Sequence, residues 1–386
     1  MTLVGEAAQR TVTFAGKQYP AEELARGAAY ELYLDGPEPG ALPNPRPGAR
    51  HPFRMFVHSS EVPGAEPFDA PLTIPLSRTM SWEGVQRLSQ TPGGDVRAVR
   101  ESATIKPGTR MIKPLSTSQV GAYLRQGALP HGCCYREHDI AHLRTPADLR
   151  FLGVDDEDAV YALRWRAIGP EDYEIARLPG VMELPPHERV GPPLLGTGFA
   201  PSNKHLVPEF VTADLAELPL PAFSELIAYL PDGTEVTLFH FVPEQKAWSR
   251  MAGPQWRRLL APIDADQEFI PVPDTFARLV GCYQGEVQEA VADPPGEYRL
   301  LAKTRAARYP VESLARRDVR GRWRGVDVLI VGAENDWLRV RLIRPDSDSI
   351  VRIGARPAER CVYEAWAPGS ELTDVREHQT PYRLSW

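Results

Sequence analysis

The sequence predicts an α+β chain, β-rich, ending in a small C-terminal β-barrel-like or sandwich module. Three observations predict it. Thirty-nine Pro residues against 30 Gly are spread along the 386-residue chain, about twice the usual Pro share, which favours short elements and rigid loops over long helical bundles. The last third carries three alternating runs, RWRGVDVLIV, WLRVRLIR and CVYEAWAP. In the second, Leu338, Val340 and Leu342 share one face and Arg339 and Arg341 the other. Finally, SELIAYL-PDG-TEVTLFHFV reads as a hairpin over 225–242 that turns at Asp232-Gly233.

The remaining elements follow in order. TVTFAGKQY and AYELYL read as strands, and so does FRMFVHSSEV after a Pro/Gly-rich loop from Gly36 to Pro52. PLTIPLSRT at 71–79 is extended, and SWEGVQRLSQ at 81–90 reads as a short helix stopped by Gly93-Gly94. STSQVGAYLRQG has Ser and Thr at its start, Val120, Tyr123 and Leu124 at helical spacing and Gly127 at its end. HDIAHL and TPADLRFLG give two short helices, the second with Thr145 as N-cap and Pro146 in its first turn. AVYALRWRAI alternates as a strand, and 179–208 is Pro-rich and reads as irregular. At this length two or three domains are expected, with boundaries at 1–110, 111–265 and 266–386. A faint internal echo joins the two ends. Phe53, Phe56, Ser60, Glu61 and Val62 match Tyr363, Trp366, Ser370, Glu371 and Leu372 in spacing, each set following a Gly-Ala-Arg.

A net charge of −7 gives no general attraction to nucleic acid or anionic membranes. No stretch approaches the roughly 20 apolar residues of a membrane span, and the first residues lack a basic start followed by an apolar run. Four Cys, two of them adjacent at 133 and 134, are not a disulfide framework, so a reducing cytoplasm is expected.

Three constellations could carry chemistry. FRMF supplies Arg54, LSTSQVGAYL supplies Ser116, Thr117 and Ser118, and EDYEIARLPGV supplies Glu174. In order and rough spacing this set over residues 50–185 resembles mono-ADP-ribosyltransferases of the cholera-toxin class. That resemblance implies that Arg54 anchors NAD, that the Ser-Thr-Ser stretch braces the acid, and that Glu174 stabilises the oxocarbenium-like centre as nicotinamide leaves. The chain departs from the family at Asp172, where a Glu or Gln stands two residues before the catalytic acid. The second set is His131, Cys133, Cys134, His138 and His142. His138 and His142 share a helix face and their spacing suits zinc, although HDIAH places Asp139 where zinc proteases have Glu; partly buried Cys and surface His is the preferred reading. The third is the basic stretch Arg299–Arg324 with Tyr309 and Trp323, read as a solvated face rather than a nucleic-acid surface. The acidic run 155–158 is a candidate partner for it. Trp323, Trp337, Trp366 and Trp386 crowd the C-terminal region as core anchors or binding residues.

Together these features predict a non-catalytic cytoplasmic protein-interaction protein, of inhibitor or immunity type, with a protein partner and no cofactor. The alternative is an NAD-consuming mono-ADP-ribosyltransferase-like enzyme acting through Glu174, with NAD as substrate.

Overall fold

The computed structural model describes residues 10–75, 97, 101–126, 128–129, 132–152, 154, 158–176, 198–202, 205–301, 308–359 and 361–384. Strands dominate. The first sheet holds β1 (Arg10–Phe14), β2 (Lys17–Leu24), β3 (Ala29–Leu34), β4 (Leu42–Pro43) and β5 (Phe53–His58), in the order β1-β2-β3-β5-β4. The expected strands at 11–34 and 53–58 are present. Alternation on β5 divides its side chains between two jobs. Phe53, Met55 and Val57 join the sheet's own apolar core with Tyr30, Leu32 and Leu34. Arg54, Phe56 and His58 face the other way, toward the middle of the chain.

The middle contains β6 (Ile74–Pro75), β7 (Arg110–Leu115), α1 (Thr117–Gln126), β8 (Ala128–Leu129), β9 (Cys133–Arg136), α2 (Glu137–Ile140) and α3 (Pro146–Leu149). It continues with β10 (Val160–Arg166), β11 (Tyr173–Ile175), β12 (Phe199–Ser202), β13 (His205–Pro208), β14 (Phe210–Thr212), β15 (Leu218–Pro219), β16 (Glu225–Tyr229), β17 (Glu235–Val242), β18 (Ala247–Arg250), α4 (Arg257–Leu260) and β19 (Phe269–Pro271). Nine of these strands form one sheet, β11-β14-β9-β7-β10-β16-β17-β18-β19. Both faces are covered. Tyr161, Leu163 and Trp165 of β10 pack with Val120 and Leu124 of α1 and with Leu259 and Leu260 of α4. Val160 and Ala162 enter a second core with Leu149, Leu152 and Val207.

Helix α1 begins where the Ser-Thr pair places it, and Thr145 caps α3 in a reciprocal box with Asp148. The Pro-rich segment departs from expectation: its described parts, 198–202 and 205–208, contain β12 and β13 rather than irregular chain. In 71–79 only β6 is a described strand. The helix expected over 81–90 lies outside the described residues.

The last sheet comes entirely from residues 278–382. It holds β20 (Arg278–Tyr283), β21 (Glu286–Asp293), β22 (Glu297–Leu301), β23 (Arg308–Pro310), β24 (Ser313–Trp323), β25 (Val326–Glu334), β26 (Trp337–Leu342), β27 (Arg356–Glu359), β28 (Val362–Pro368) and β29 (Thr373–Tyr382), with α5 (Ser347–Ile353) across it. The 11-residue β24 is its spine. It pairs with β20 through its first half, with β25 through its second half, and with β29 along its opposite edge. The path is open, and no closed barrel forms among the described residues. Leu338 and Val340 face the sheet's core with Tyr363 and Ala367 as the alternation predicts. The two ends that echo each other in sequence share a local shape, since β5 and β28 both run into a 3-10 turn carrying Ser-Glu.

β16 and β17 pair antiparallel over the expected hairpin, with a bulge at Leu226/Ile227. The turn is longer than a two-residue type. The Leu230 N–H donates to the Thr234 carbonyl, and the Asp232 carboxylate accepts from the Thr234 N–H. In the Asp232-Gly233 pair only Gly233 takes a positive φ, at 79°. A Cβ on Gly233 would collide with the Phe56 ring of β5. Gly233→Val therefore suffers twice, about 1 kcal/mol from backbone strain and about 1–3 kcal/mol from overpacking. A clear fall in the urea midpoint is expected, and an unchanged midpoint would show that the hairpin tip does not seat against β5.

Candidate functional site

Arg54 is buried, with both terminal nitrogens engaged and its Nε without a hydrogen-bond partner. Its guanidinium donates to Glu31 Oε1 at 3.0 Å, to the Asp232 carbonyl at 2.7 Å and to Thr234 Oγ1 at 3.1 Å. It ties the first sheet to the β16–β17 turn, so it is neither a solvent-facing strand residue nor an arginine open to a cofactor.

Ser116, Thr117 and Ser118 start α1. The Ser116 N–H donates to Gln119 Oε1 at 2.8 Å and Ser116 Oγ accepts from the Gln119 N–H at 3.4 Å, a reciprocal cap. Thr117 lines a cleft of about 470 Å³ at the end of the nine-stranded sheet, with Asp158, Tyr161, Pro231 and Arg258. Glu174 is exposed on β11, the edge strand of that sheet. Its neighbours Tyr173 and Ile175 turn to the face covered by α1, so Glu174 points to the opposite face. Three strand spacings, roughly 14 Å, separate β11 from β7, and five, roughly 24 Å, separate it from β16. The structure thus does not gather Arg54, Ser116 and Glu174 around one cleft.

The Cys/His set is also divided. Cys133 and Cys134 are consecutive on β9 and enter different cores. Burial pushes the Cys134 thiol well up. Asp139 is fully buried and bound bidentately by Arg136, at 2.7 and 3.1 Å. His131 lies outside the described residues. Among the described residues no group of three His, Cys, Asp or Glu side chains is placed to hold a metal ion.

His142, expected at the surface, is instead buried beside two histidines that sequence spacing could not connect to it. Its ring stands edge-on to His58 with centroids 4.9 Å apart, and His58 lies 5.2 Å from His205. His58 Nδ1 accepts from the Ser60 N–H, capping the 3-10 turn after β5, and His142 Nε2 lies 2.8 Å from Ser202 Oγ. The cluster sits where the first sheet meets α2 and β13. Burial lowers the His58 pKa to about 4, helped by His205 and opposed by Asp139 and Glu61. Burial lowers His142 to about 3, helped by His58, His205 and Arg144.

The described part of the basic stretch is mixed: Arg322 and Arg324 are exposed, as expected of a solvated face, whereas Arg299, Arg316 and Arg320 are internal ties. Arg316 is almost completely buried and binds Asp172 Oδ1 at 2.8 Å, while the Tyr382 hydroxyl donates to the same carboxylate. Burial raises Asp172 to about 6 against the pull of Arg316. Arg299 pairs with Glu244, and Arg320 bridges Asp318 and Asp214 at 2.7 and 3.1 Å. Arg341 is wholly buried between Glu217 and Glu364, at 3.3 and 2.7 Å, and Lys113 pairs with Glu359. The acidic residues that answer these cations are thus spread through the chain. Of the run at 155–158 only Asp158 is described, and it is exposed.

Of the four C-terminal Trp residues, Trp323 is buried and Trp386 lies outside the described residues. Trp337 and Trp366 are 49% and 46% exposed. They share one face of the last sheet, because Trp337 pairs with Pro368 and Arg339 with Trp366 across β26 and β28. Beside them opens a cleft of about 450 Å³, lined by Arg339, Arg356, Pro357, Glu364 and Trp366. The clustering of Trp in sequence pointed to this region; Arg339 and Arg356 carried no such signal.

Comparison with protein-family models, curated proteins and solved structures returns no match.

Two outcomes follow from these placements. Arg54→Met leaves buried Glu31 with Arg46 alone, at 3.5 Å, and should cost about 1–3 kcal/mol; adding Glu31→Gln should recover part of it, and an unchanged denaturation curve for the single variant would refute the tie. The histidine cluster makes stability pH-dependent. Undocked histidines bind a proton near pH 6.5, whereas the folded ones resist until about pH 4 and about pH 3. The stabilisation is complete above pH 6.5 and is lost as pH falls toward 4, at about 3 kcal/mol per histidine. His58→Asn with His142→Gln keeps the two hydrogen-bonding positions and removes the titration. The melting temperature of that variant should fall less than the wild type's between these pH values; parallel curves would count against the cluster.

Proposed function

We propose that this chain is a non-catalytic protein-interaction protein, an inhibitor or immunity-type partner working in a reducing cytoplasm, and that its contact surface is the Trp337–Trp366 face of the region 266–386. One observation carries the reading: two half-exposed Trp side chains lie beside an arginine on one sheet face, on rigid strands rather than loops. Trp and Arg are the residues most enriched at the energetic centres of protein interfaces, and contiguous exposed apolar area on a folded chain marks such sites. The internal use of Arg54 and the start of α1 by Ser116–Ser118 fit this reading better than the alternative. Cys133, Cys134, Cys282 and Cys361 are not in disulfides, which fits the reducing compartment.

The test compares immobilised wild type with Trp337→Ala/Trp366→Ala in a lysate of the source cells, followed by reconstitution with the purified partner. Stoichiometric binding that is lost in the folded variant supports the proposal, and equal recovery on both proteins overturns it. In parallel, nicotinamide release from NAD is expected to be absent. Release that disappears in Glu174→Gln, a loss of about 10²–10³ in rate, would establish the transferase alternative instead.

A further inference from the structure

The Trp-bearing face has a charge and a shape that restrict what it can take. Arg341, Arg339 and Trp337 follow one another on the same face of β26, and Glu364, Trp366 and Pro368 do so on β28. The acid that lines the cleft is already spent: Glu364 accepts from Arg341 through Nε at 3.0 Å and Nη2 at 2.7 Å, and Glu334, opposite Trp337 on β25, does not line the cleft. Arg339 reaches Glu364 only at 3.8 Å, and its Nε is buried without a hydrogen-bond partner. Arg356 is exposed at the same cleft. The cleft thus offers two cations beside an open indole surface. Its rim includes strand edge as well. β27 pairs with β28 only from Val362 to Glu364, and among the described residues no strand continues that pairing along Ala365 and Trp366.

We infer that this cleft binds an extended acidic peptide segment of a partner protein, with a carboxylate on Arg339 and Arg356 and an adjacent aromatic or proline side chain on Trp366 and Trp337. This rests on the interaction reading above and names the partner's chemistry. Charge complementarity selects the occupant. A planar guanidinium fork matches a carboxylate. The indoles supply apolar contact at low entropic cost. An extended segment also suits the short free edge of β28, where backbone groups can pair as an added strand.

The experiment is selection of a random dodecapeptide display library on the full-length protein, with counter-selection on Arg339→Gln/Trp366→Ala. Neither residue belongs to the buried ties, and circular dichroism checks that the variant is folded. Enriched peptides should combine Asp or Glu with an aromatic or Pro. A synthetic copy should quench tryptophan fluorescence, lose about tenfold in affinity with either Arg339→Gln or Arg356→Gln, and weaken as salt rises. Neutral or basic winners, winners insensitive to the arginines, or no enrichment at all would overturn the inference. If the lysate partner still depends on Trp337 and Trp366 while the library gives any of those results, the interaction reading stands and only the acidic-peptide assignment falls.

Discussion

Buried arginines that each hold a carboxylate and reach across to another part of the fold are the constraint on which this architecture depends. Arg54 with Glu31 grips the β16–β17 turn, Arg316 with Asp172 and Tyr382 closes the start of β11 against β24 and β29, and Arg341 joins Glu217 to Glu364. Each pair is desolvated, so its Coulombic gain is largely offset by lost hydration. The asymmetry gives it force: a sheet that shifts leaves a charge stranded in a low-dielectric interior. These contacts thereby select one relative placement of the sheets, where apolar faces alone would tolerate several.

The same economy of charge shapes the surface. Among the described residues of the basic stretch, Arg299, Arg316 and Arg320 are turned inward onto carboxylates. Open on the last sheet is a compact patch of two Trp residues with Arg339 and Arg356. The strands beneath it are fixed by the spine β24 and by the Arg341 network, so the patch is pre-organised, which lowers the ordering cost of binding.

Local structure was largely legible. Alternation located β10, β16, β17 and β26, and capping residues located α1 and α3, because these signals depend only on neighbours in the chain. The strands β20 and β21 escaped notice for a physical reason. Their hairpin turns on Gln284-Gly285, both at positive φ, and Gln is not among the residues that ordinarily announce such a turn. Similarly, β12 and β13 were hidden by prolines, which edge and short strands tolerate. The candidate site was legible only in fragments: clustered Trp residues marked the region, but the arginines beside them gave no sign in one dimension.

By itself the sequence determined a strand-rich chain of short elements, the hairpin around Gly233, the start of α1 and the inward face of β26, all of which follow from periodicity and backbone sterics. Only the tertiary structure decided what the charged and titratable residues do. Arg54 meets Asp232 across 178 positions of chain, Tyr382 meets Asp172 across 210 and His58 meets His142. A side chain's ionic partner is chosen by how sheets pack and which charges are thereby stripped of water. No local pattern encodes that choice, so a residue that reads as catalytic in sequence can prove in space to be a tie between sheets.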